Sequence, residues 1–188
     1  MSSKMKDILE DCPVIAAIKD QEGLEECLKS DCNIVFILYG DIMNIASIME
    51  QVKNAGKLAM VHMDLIAGLG SREVSVDFIH TTTQADGIIS TKPTLIRRAK
   101  ELKLYTVMRF FVIDSMAIDT IHKQCEQARP DCIEILPGVM PKVIRRIVQT
   151  VREPVIAGGL ITDKEDVVSA LDAGAVSIST TNKALWYV

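Results

Sequence analysis

Two short stretches near the carboxyl end of the chain have the composition of a phosphate-binding site. Gly158-Gly159 ends one apolar run, and Ser179-Thr180-Thr181 ends the next, with an amphipathic segment between them. Glycines let the backbone approach an oxyanion, and N–H groups at a helix start carry a favourable partial charge. We therefore predict that these five residues contact a phosphate group. The alternative is a pair of tight turns without a ligand.

Polar side chains also stand where other apolar runs end. His62 and Asp64 are two residues apart, which predicts that they leave the same face of a strand. This spacing favours a ligand-binding or acid/base pair in which Asp64 orients the imidazole, the alternative being a core histidine. Lys92 follows a further run, where it could attract an anion or form a Schiff base, or be a solvated loop lysine.

Arg109 lies inside the apolar run YTVMRFFV, and Glu134 lies inside CIEILP. A buried guanidinium must be paired, so Glu134 on the next strand is its expected partner. A structural ion pair and a ligand-binding role are both compatible with this pattern.

The elements that carry these residues alternate regularly along the chain. Strands are predicted at 13–18, 33–39, 57–65, 87–90, 105–112 and 131–136, with two more inside 154–182. Each is followed by a helical segment, which predicts an α/β fold, a small (β/α)8 TIM-type barrel with functional residues at the carboxyl ends of its strands. We expect a single domain over residues 1–188. Because 188 residues is short for such a barrel, an open doubly wound sheet is the alternative.

Composition excludes several classes of function. The net charge of −4 argues against a protein that wraps nucleic acid through general phosphate attraction. Seven cations on two predicted outer helices are either a solvated face or an RNA contact: Arg97, Arg98, Lys100, Lys103, Lys142, Arg145 and Arg146. The five cysteines and three histidines show no metal-ligand spacing, so no metal or cofactor is expected. We find no signal peptide or membrane segment, which predicts a cytoplasmic protein with reduced thiols.

The sequence resembles the glycerol uptake operon antiterminator family. The resemblance covers nearly the whole chain in order, through the runs VHMDLIAGL, GIISTK, MRFFVIDS, PDCIEILPGVMP, PVIAGGLI and EDVVSALDAGAVSISTTN. It implies a cytoplasmic bacterial regulator of glycerol metabolism that responds to glycerol 3-phosphate. Members of the family act on a leader mRNA to let transcription pass a terminator, and they are not expected to be enzymes.

Carried over position by position, the resemblance implies ligand binding rather than catalysis at the strand ends. The positions are His62, Asp64, Lys92, Arg109, Glu134, Gly158, Gly159, Ser179, Thr180 and Thr181. The alternative function is an isomerase or aldolase of a small phosphorylated metabolite, because barrels host many chemistries. Assembly into a homo-oligomer is left open, with Trp186 and Tyr187 as candidate contacts.

Overall fold

The computed structural model describes residues 2–187 and contains a closed barrel of eight parallel strands. Consecutive strands pair in order, and β8 pairs with β1. The strands are β1 (Val14–Ile18), β2 (Ile34–Ile37), β3 (Leu58–His62), β4 (Gly87–Ser90), β5 (Tyr105–Phe111), β6 (Cys132–Leu136), β7 (Val155–Gly158) and β8 (Ser177–Thr180). The predicted (β/α)8 barrel is therefore confirmed, and the open doubly wound sheet is excluded.

Helices surround the barrel, and one lies across its amino-terminal end. The helices are α1 (Ser2–Glu10), α2 (Gln21–Cys27), α3 (Ile45–Asn54), α4 (Glu73–Thr82), α5 (Pro93–Glu101), α6 (Met116–Ala128), α7 (Pro141–Val148) and α8 (Lys164–Asp172). Short 3-10 helices follow β3 at Met63–Leu65 and β8 at Lys183–Tyr187. That a single domain spans residues 1–188 stays a prediction.

Helix α1 was not predicted, and it closes the bottom of the barrel. Met5 and Leu9 are fully buried and belong to the same apolar cluster as Ile15 of β1. The Ser177 hydroxyl donates to the carbonyl oxygens of Leu9 (2.8 Å) and Cys12 (2.9 Å). Because burial of a Leu or Met side chain contributes about 1.5–3 kcal/mol, α1 adds measurably to the core.

The third strand is shorter than predicted, and this changes the placement of Asp64. The strand ends at His62, and the chain continues as the 3-10 helix Met63–Leu65. The Asp64 carboxylate there accepts the backbone N–H of Thr91 at 2.8 Å, which draws this turn towards the loop after β4. His62 and Asp64 therefore do not leave the same face of one strand.

The described residues contain neither a membrane-spanning helix nor a cluster of metal-ligating side chains. Within 2–187, no helix combines the length and the apolar composition needed to cross a membrane. In the same range, no group of three or more His, Cys, Asp or Glu side chains is arranged to hold a metal ion. All five cysteines are buried and unpaired.

Candidate functional site

A cavity of about 420 Å³ opens at the carboxyl end of the barrel. It lies where a (β/α)8 fold places its functional residues. Its wall includes six of the ten residues predicted to bind a ligand: Arg109, Glu134, Gly159, Ser179, Thr180 and Thr181. The remaining four, His62, Asp64, Lys92 and Gly158, are not part of this wall.

A buried carboxylate at Glu134 organises the floor of the cavity. Its Oε2 atom accepts from Nε of Arg109 at 2.5 Å, and its Oε1 atom accepts from the Ser179 hydroxyl at 2.5 Å. Arg109 and Glu134 are register partners on β5 and β6, which places the two side chains beside each other. A buried charge is tolerated only when it is paired and hydrogen-bonded, and Glu134 meets both conditions here. The predicted Arg109–Glu134 ion pair is confirmed.

The Arg109 guanidinium keeps donors for a ligand. Nε is the only nitrogen of this side chain that donates to a protein acceptor within residues 2–187. Nη1 and Nη2 therefore remain available beside the cavity that Arg109 lines. A planar guanidinium with two free donor nitrogens matches the geometry of a phosphate or a pair of hydroxyl oxygens.

Gly158 is required for this array in a way that the sequence did not suggest. A Cβ atom at Gly158 would lie 2.5 Å from Glu134 Oε1 and 2.5 Å from Ser179 Oγ. No real Cβ atom makes contacts this short, so only glycine leaves room for the carboxylate and the hydroxyl. Gly158 therefore packs against the Glu134–Ser179 contact and is not itself part of the cavity wall.

The turn after β7 contributes Gly159 and Leu160 to the cavity wall. Gly159 has a φ of +75° and Leu160 a φ of +61°, both in the left-handed region, and Leu160 is 71% exposed. The N–H groups of Gly159, Leu160 and Thr181 donate to no acceptor within the described part of the chain. Unpaired N–H groups at neighbouring strand ends are the donors that a phosphate requires.

Side-chain hydrogen bonds hold the turn after β8 in place. Thr180 Oγ1 donates to the carbonyl of Ile161 (2.9 Å) and accepts from the N–H of Asn182 (3.0 Å). Trp186 Nε1 donates to the Thr180 carbonyl at 3.0 Å, and its side chain is only 2% exposed. Trp186 therefore supports the site from behind, and its predicted availability for an oligomer contact is wrong.

Asp64 and Lys92 form a second polar cluster on the side of the mouth near β3 and β4. Asp64 accepts hydrogen bonds from Ser90 Oγ, Thr91 N and Thr91 Oγ1, and its Oδ1 lies 3.1 Å from Lys92 Nζ. Lys92 Nζ also donates to Ser71 Oγ at 2.6 Å. Burial raises the pKa of the Asp64 carboxyl, but the Thr91 N–H and the Lys92 ammonium outweigh it, so this pKa lies below its usual value.

His62 points into the barrel, and its Nδ1 has no hydrogen-bond partner among residues 2–187. It is 3% exposed, and Nδ1 lies 3.9 Å from the nearer Asp64 oxygen, too far for a hydrogen bond. The predicted orientation of the imidazole by Asp64 is therefore wrong. Burial, followed by the positive charge of Arg109, lowers the pKa of His62 to about 4. The imidazole is neutral at physiological pH.

Comparison with known proteins identifies the family. Residues 14–186 match the sequence profile of a family described as glycerol-3-phosphate responsive antiterminator. The chain belongs to this family. It is 45% identical over 179 residues to the uncharacterized protein YgcP of Escherichia coli K12, covering 95% of this chain and 94% of YgcP.

Two solved structures of related proteins have the same fold as this family member. The glycerol uptake operon antiterminator regulatory protein of Listeria monocytogenes is 35% identical, with a TM-score of 0.88, covering 92% of this chain and 94% of that one. A glycerol uptake operon antiterminator-related protein of Thermotoga maritima is also 35% identical, with a TM-score of 0.82, covering 93% and 98%. A solved aldolase, QR15, shares the fold alone, at 17% identity and a TM-score of 0.71 over 94% of this chain and 92% of the aldolase.

The cavity wall of this antiterminator family member also includes residues outside the ten predicted ligand-binding positions. They are Ala17, Leu38, Leu136, Leu160, Ile161, Thr162 and Asn182. The apolar members carry no chemical signal in the sequence. Asn182 and Thr162 stand in the two predicted turns, and the Asn182 amide donates to the Thr162 carbonyl at 2.6 Å. Their presence in turns after neighbouring parallel strands was the one available signal.

Proposed function

We propose that the chain is a cytoplasmic, glycerol-3-phosphate-responsive antiterminator that binds a leader mRNA and performs no catalysis. Membership of the antiterminator family supports the regulatory role. The observation that carries the ligand is the Arg109–Glu134–Ser179 array beneath free backbone N–H groups at Gly159 and Thr181. Together they offer anion-binding donors and a hydroxyl-binding carboxylate within one cavity.

The two ends of glycerol 3-phosphate differ in chemistry, and so do the two parts of the cavity. We assign the phosphate to the N–H groups of Gly159 and Thr181, because backbone donors at strand ends suit a phosphate oxyanion. We assign the glycerol hydroxyls to Glu134 and Ser179, whose oxygens retain free lone pairs. Arg109 lies between the two parts and donates through its Nη atoms.

We assign the other predicted ligand residues to the surroundings of glycerol 3-phosphate. His62 offers an unpaired, neutral Nδ1 inside the barrel, which suits a hydroxyl group better than a phosphate. Gly158 and Thr180 support the phosphate-binding turns. Asp64 and Lys92 join the loops after β3 and β4, so that a ligand at the mouth meets an ordered rim.

The enzyme alternative has less support from the geometry. A Schiff base requires a lysine with a free amine next to the substrate. Lys92 Nζ is held by Asp64 and Ser71, and it is not part of the cavity wall. Borohydride trapping with a panel of phosphorylated aldehydes and ketones tests this alternative, and labelling of Lys92 would favour it.

A matched pair of glycine variants tests the ligand site. Gly159 and Gly56 have nearly equal φ angles, +75° and +76°, but Gly56 is exposed at the opposite end of the barrel. Both Gly159→Asp and Gly56→Asp introduce the same charge and a similar left-handed backbone strain, and a Cβ atom at Gly159 also lies 3.1 Å from Leu136 Cδ2. We expect calorimetry to show glycerol 3-phosphate binding that Gly159→Asp weakens at least about tenfold through repulsion of the phosphate. Equal affinities for the two variants would contradict the assigned phosphate position.

A further inference from the structure

Charge is distributed unevenly along the chain. Residues 92–152 contain twelve Lys and Arg residues and six Asp and Glu residues, a net charge of +6. The rest of the chain contains nine and nineteen, a net charge of −10. Residues 92–152 form α5, α6 and α7 with the strands β5 and β6, so the positive charge is collected on one side of the barrel.

Most cations on this side have no acidic partner. Arg98 pairs with Asp77 and Glu101, and Lys100 pairs with the buried Asp131. Within residues 2–187, no carboxylate oxygen lies within 4.0 Å of the remaining cations of the three helices and their following loops. These are Arg97, Lys103, Lys123, Arg129, Lys142, Arg145, Arg146 and Arg152. All eight are exposed, and none of them lines the ligand cavity.

Three of these cations lie in consecutive loops at the amino-terminal end of the barrel. Lys103, Arg129 and Arg152 directly precede β5, β6 and β7, which are neighbours in the sheet. Arg129 and Arg152 line a groove of about 940 Å³ together with Lys100 and His122. Glu126 and Glu153 also line it, and Glu153 accepts the backbone N–H of Arg152.

Two of the three cations occupy backbone conformations that favour glycine. Lys103 has a φ of 62° and Arg129 a φ of 47°. The equivalent positions after α3 and α8 are occupied by Gly56 and Gly174, with φ angles of 76° and 103°. A left-handed conformation is unfavourable for a residue with a Cβ atom, and glycine is the usual residue there. The chain therefore keeps cations at positions where glycine would give the more stable helix end.

We propose that this surface, the α5–α7 basic face, binds the phosphates of the leader RNA, with Lys103, Arg129 and Arg152 as its central contacts. The inference rests on the proposed function, since it requires that RNA is the partner. Within residues 2–187, no Phe, Tyr or Trp side chain lines the groove, so a platform of large aromatic rings for base stacking is not expected. Contacts to phosphates give an affinity that falls steeply with salt concentration.

The basic face and the ligand cavity share three strands. Strands β5, β6 and β7 carry Arg109, Glu134 and Gly158 at their carboxyl ends, and the cationic loops precede their amino ends. Ligand and RNA are thus assigned to opposite ends of one barrel. Substitutions on the basic face can therefore be tested without touching the ligand contacts.

The test is a Lys103→Gly/Arg129→Gly double variant in a filter-binding assay with the labelled leader transcript that precedes this chain's own coding sequence. Each lost phosphate contact lowers the slope of log affinity against log salt concentration by about 0.7. This corresponds to a loss of affinity of about fivefold at 0.1 M salt. We expect the double variant to bind about 25-fold more weakly. Because glycine relieves the left-handed strain, its melting temperature should be no lower than that of the wild type.

The matched control is Lys6→Gln/Lys29→Gln. Both lysines are exposed, and they lie on α1 and in the loop before β2. Their substitution removes the same net charge from another part of the amino-terminal end of the barrel. We expect wild-type RNA affinity for the control and unchanged glycerol 3-phosphate affinity for both doubles. If wild-type protein binds RNA and the glycine double variant binds within about twofold of it, this inference alone fails. If wild-type protein retains no RNA at about 50 mM salt, the RNA part of the proposed function fails with it.

Discussion

Substitution of Gly158 by alanine tests the buried array most sharply. The added Cβ atom would lie 2.5 Å from Glu134 Oε1, 2.5 Å from Ser179 Oγ and 3.2 Å from Glu134 Cδ. Glu134 cannot swing away freely, because it is fully buried and Arg109 holds its other oxygen. The methyl group must therefore displace the Ser179 hydroxyl or distort the ion pair.

The expected cost follows from these contacts. Overpacking a well-packed site costs roughly 1–3 kcal/mol, and loss of a hydrogen bond to a charged group costs roughly 1.5–3 kcal/mol. The two overlap, so we expect Gly158→Ala to lower the free energy of unfolding by about 3 kcal/mol. With a urea slope of about 2 kcal/mol per molar, the unfolding midpoint falls by roughly 1.5 M.

Urea unfolding followed by circular dichroism measures this difference. Gly70→Ala is the control, since its Cβ atom would meet only Ser75 Oγ at 3.8 Å. Removing the Ser179 hydroxyl in a Gly158→Ala/Ser179→Ala double variant opens one side of the site, so the two effects should not add. A midpoint for Gly158→Ala as close to wild type as that of Gly70→Ala would refute the packing argument.

Three further predictions follow from the site and the core. The pKa of His62 is lowered to about 4 in the folded chain, against 6.5 in the unfolded chain. Because the unfolded chain binds the proton first, the free energy of unfolding should be highest above pH 6.5 and should fall by about 3 kcal/mol as the pH drops to 4. Urea midpoints across this range should show the decline, and a His62→Gln variant with the same decline would contradict it. Asp64→Ala removes the carboxylate that accepts hydrogen bonds from Ser90 and Thr91 and pairs with Lys92. It should lower the free energy of unfolding by about 2 kcal/mol and speed amide exchange at Thr91. The control Asp7→Ala, at an exposed position, should do neither. Burial raises the thiol pKa of Cys27 and Cys32 to about 11 and that of Cys125 to about 12. A disulfide reagent at pH 8 should therefore label the native protein slowly, and should label all five thiols after unfolding. Rapid labelling of the native protein would argue against the burial.

The barrel could be predicted because its signal is local and repeated. Each strand is a short run of buried apolar residues, and each helix has apolar residues at helical spacing, so the alternation is readable without knowledge of tertiary contacts. The Arg109–Glu134 pair was readable for a related reason. A charge inside an apolar run needs a partner, and few candidates exist on the neighbouring strand.

The features that escaped prediction depend on contacts between distant parts of the chain. Strand β3 ends at His62 because Asp64 is bonded to Thr91, 27 residues away. The role of Gly158 follows from its distance to Glu134 and Ser179, which only the closed barrel defines. Helix α1 is a short segment with few apolar residues, and its position across the barrel end is set by the cluster that Met5 and Leu9 complete.

Retention of the leader transcript by the wild-type chain, with and without glycerol 3-phosphate, is the most direct test of the proposed regulatory role. An effector can shift RNA affinity only if it binds the RNA-competent state differently from the other states. We predict a change in RNA affinity of at least about fivefold on addition of glycerol 3-phosphate, none on addition of glycerol, and none for Gly159→Asp. The same affinity for the transcript with and without glycerol 3-phosphate would contradict the claim that this barrel reads a phosphorylated metabolite to control transcription.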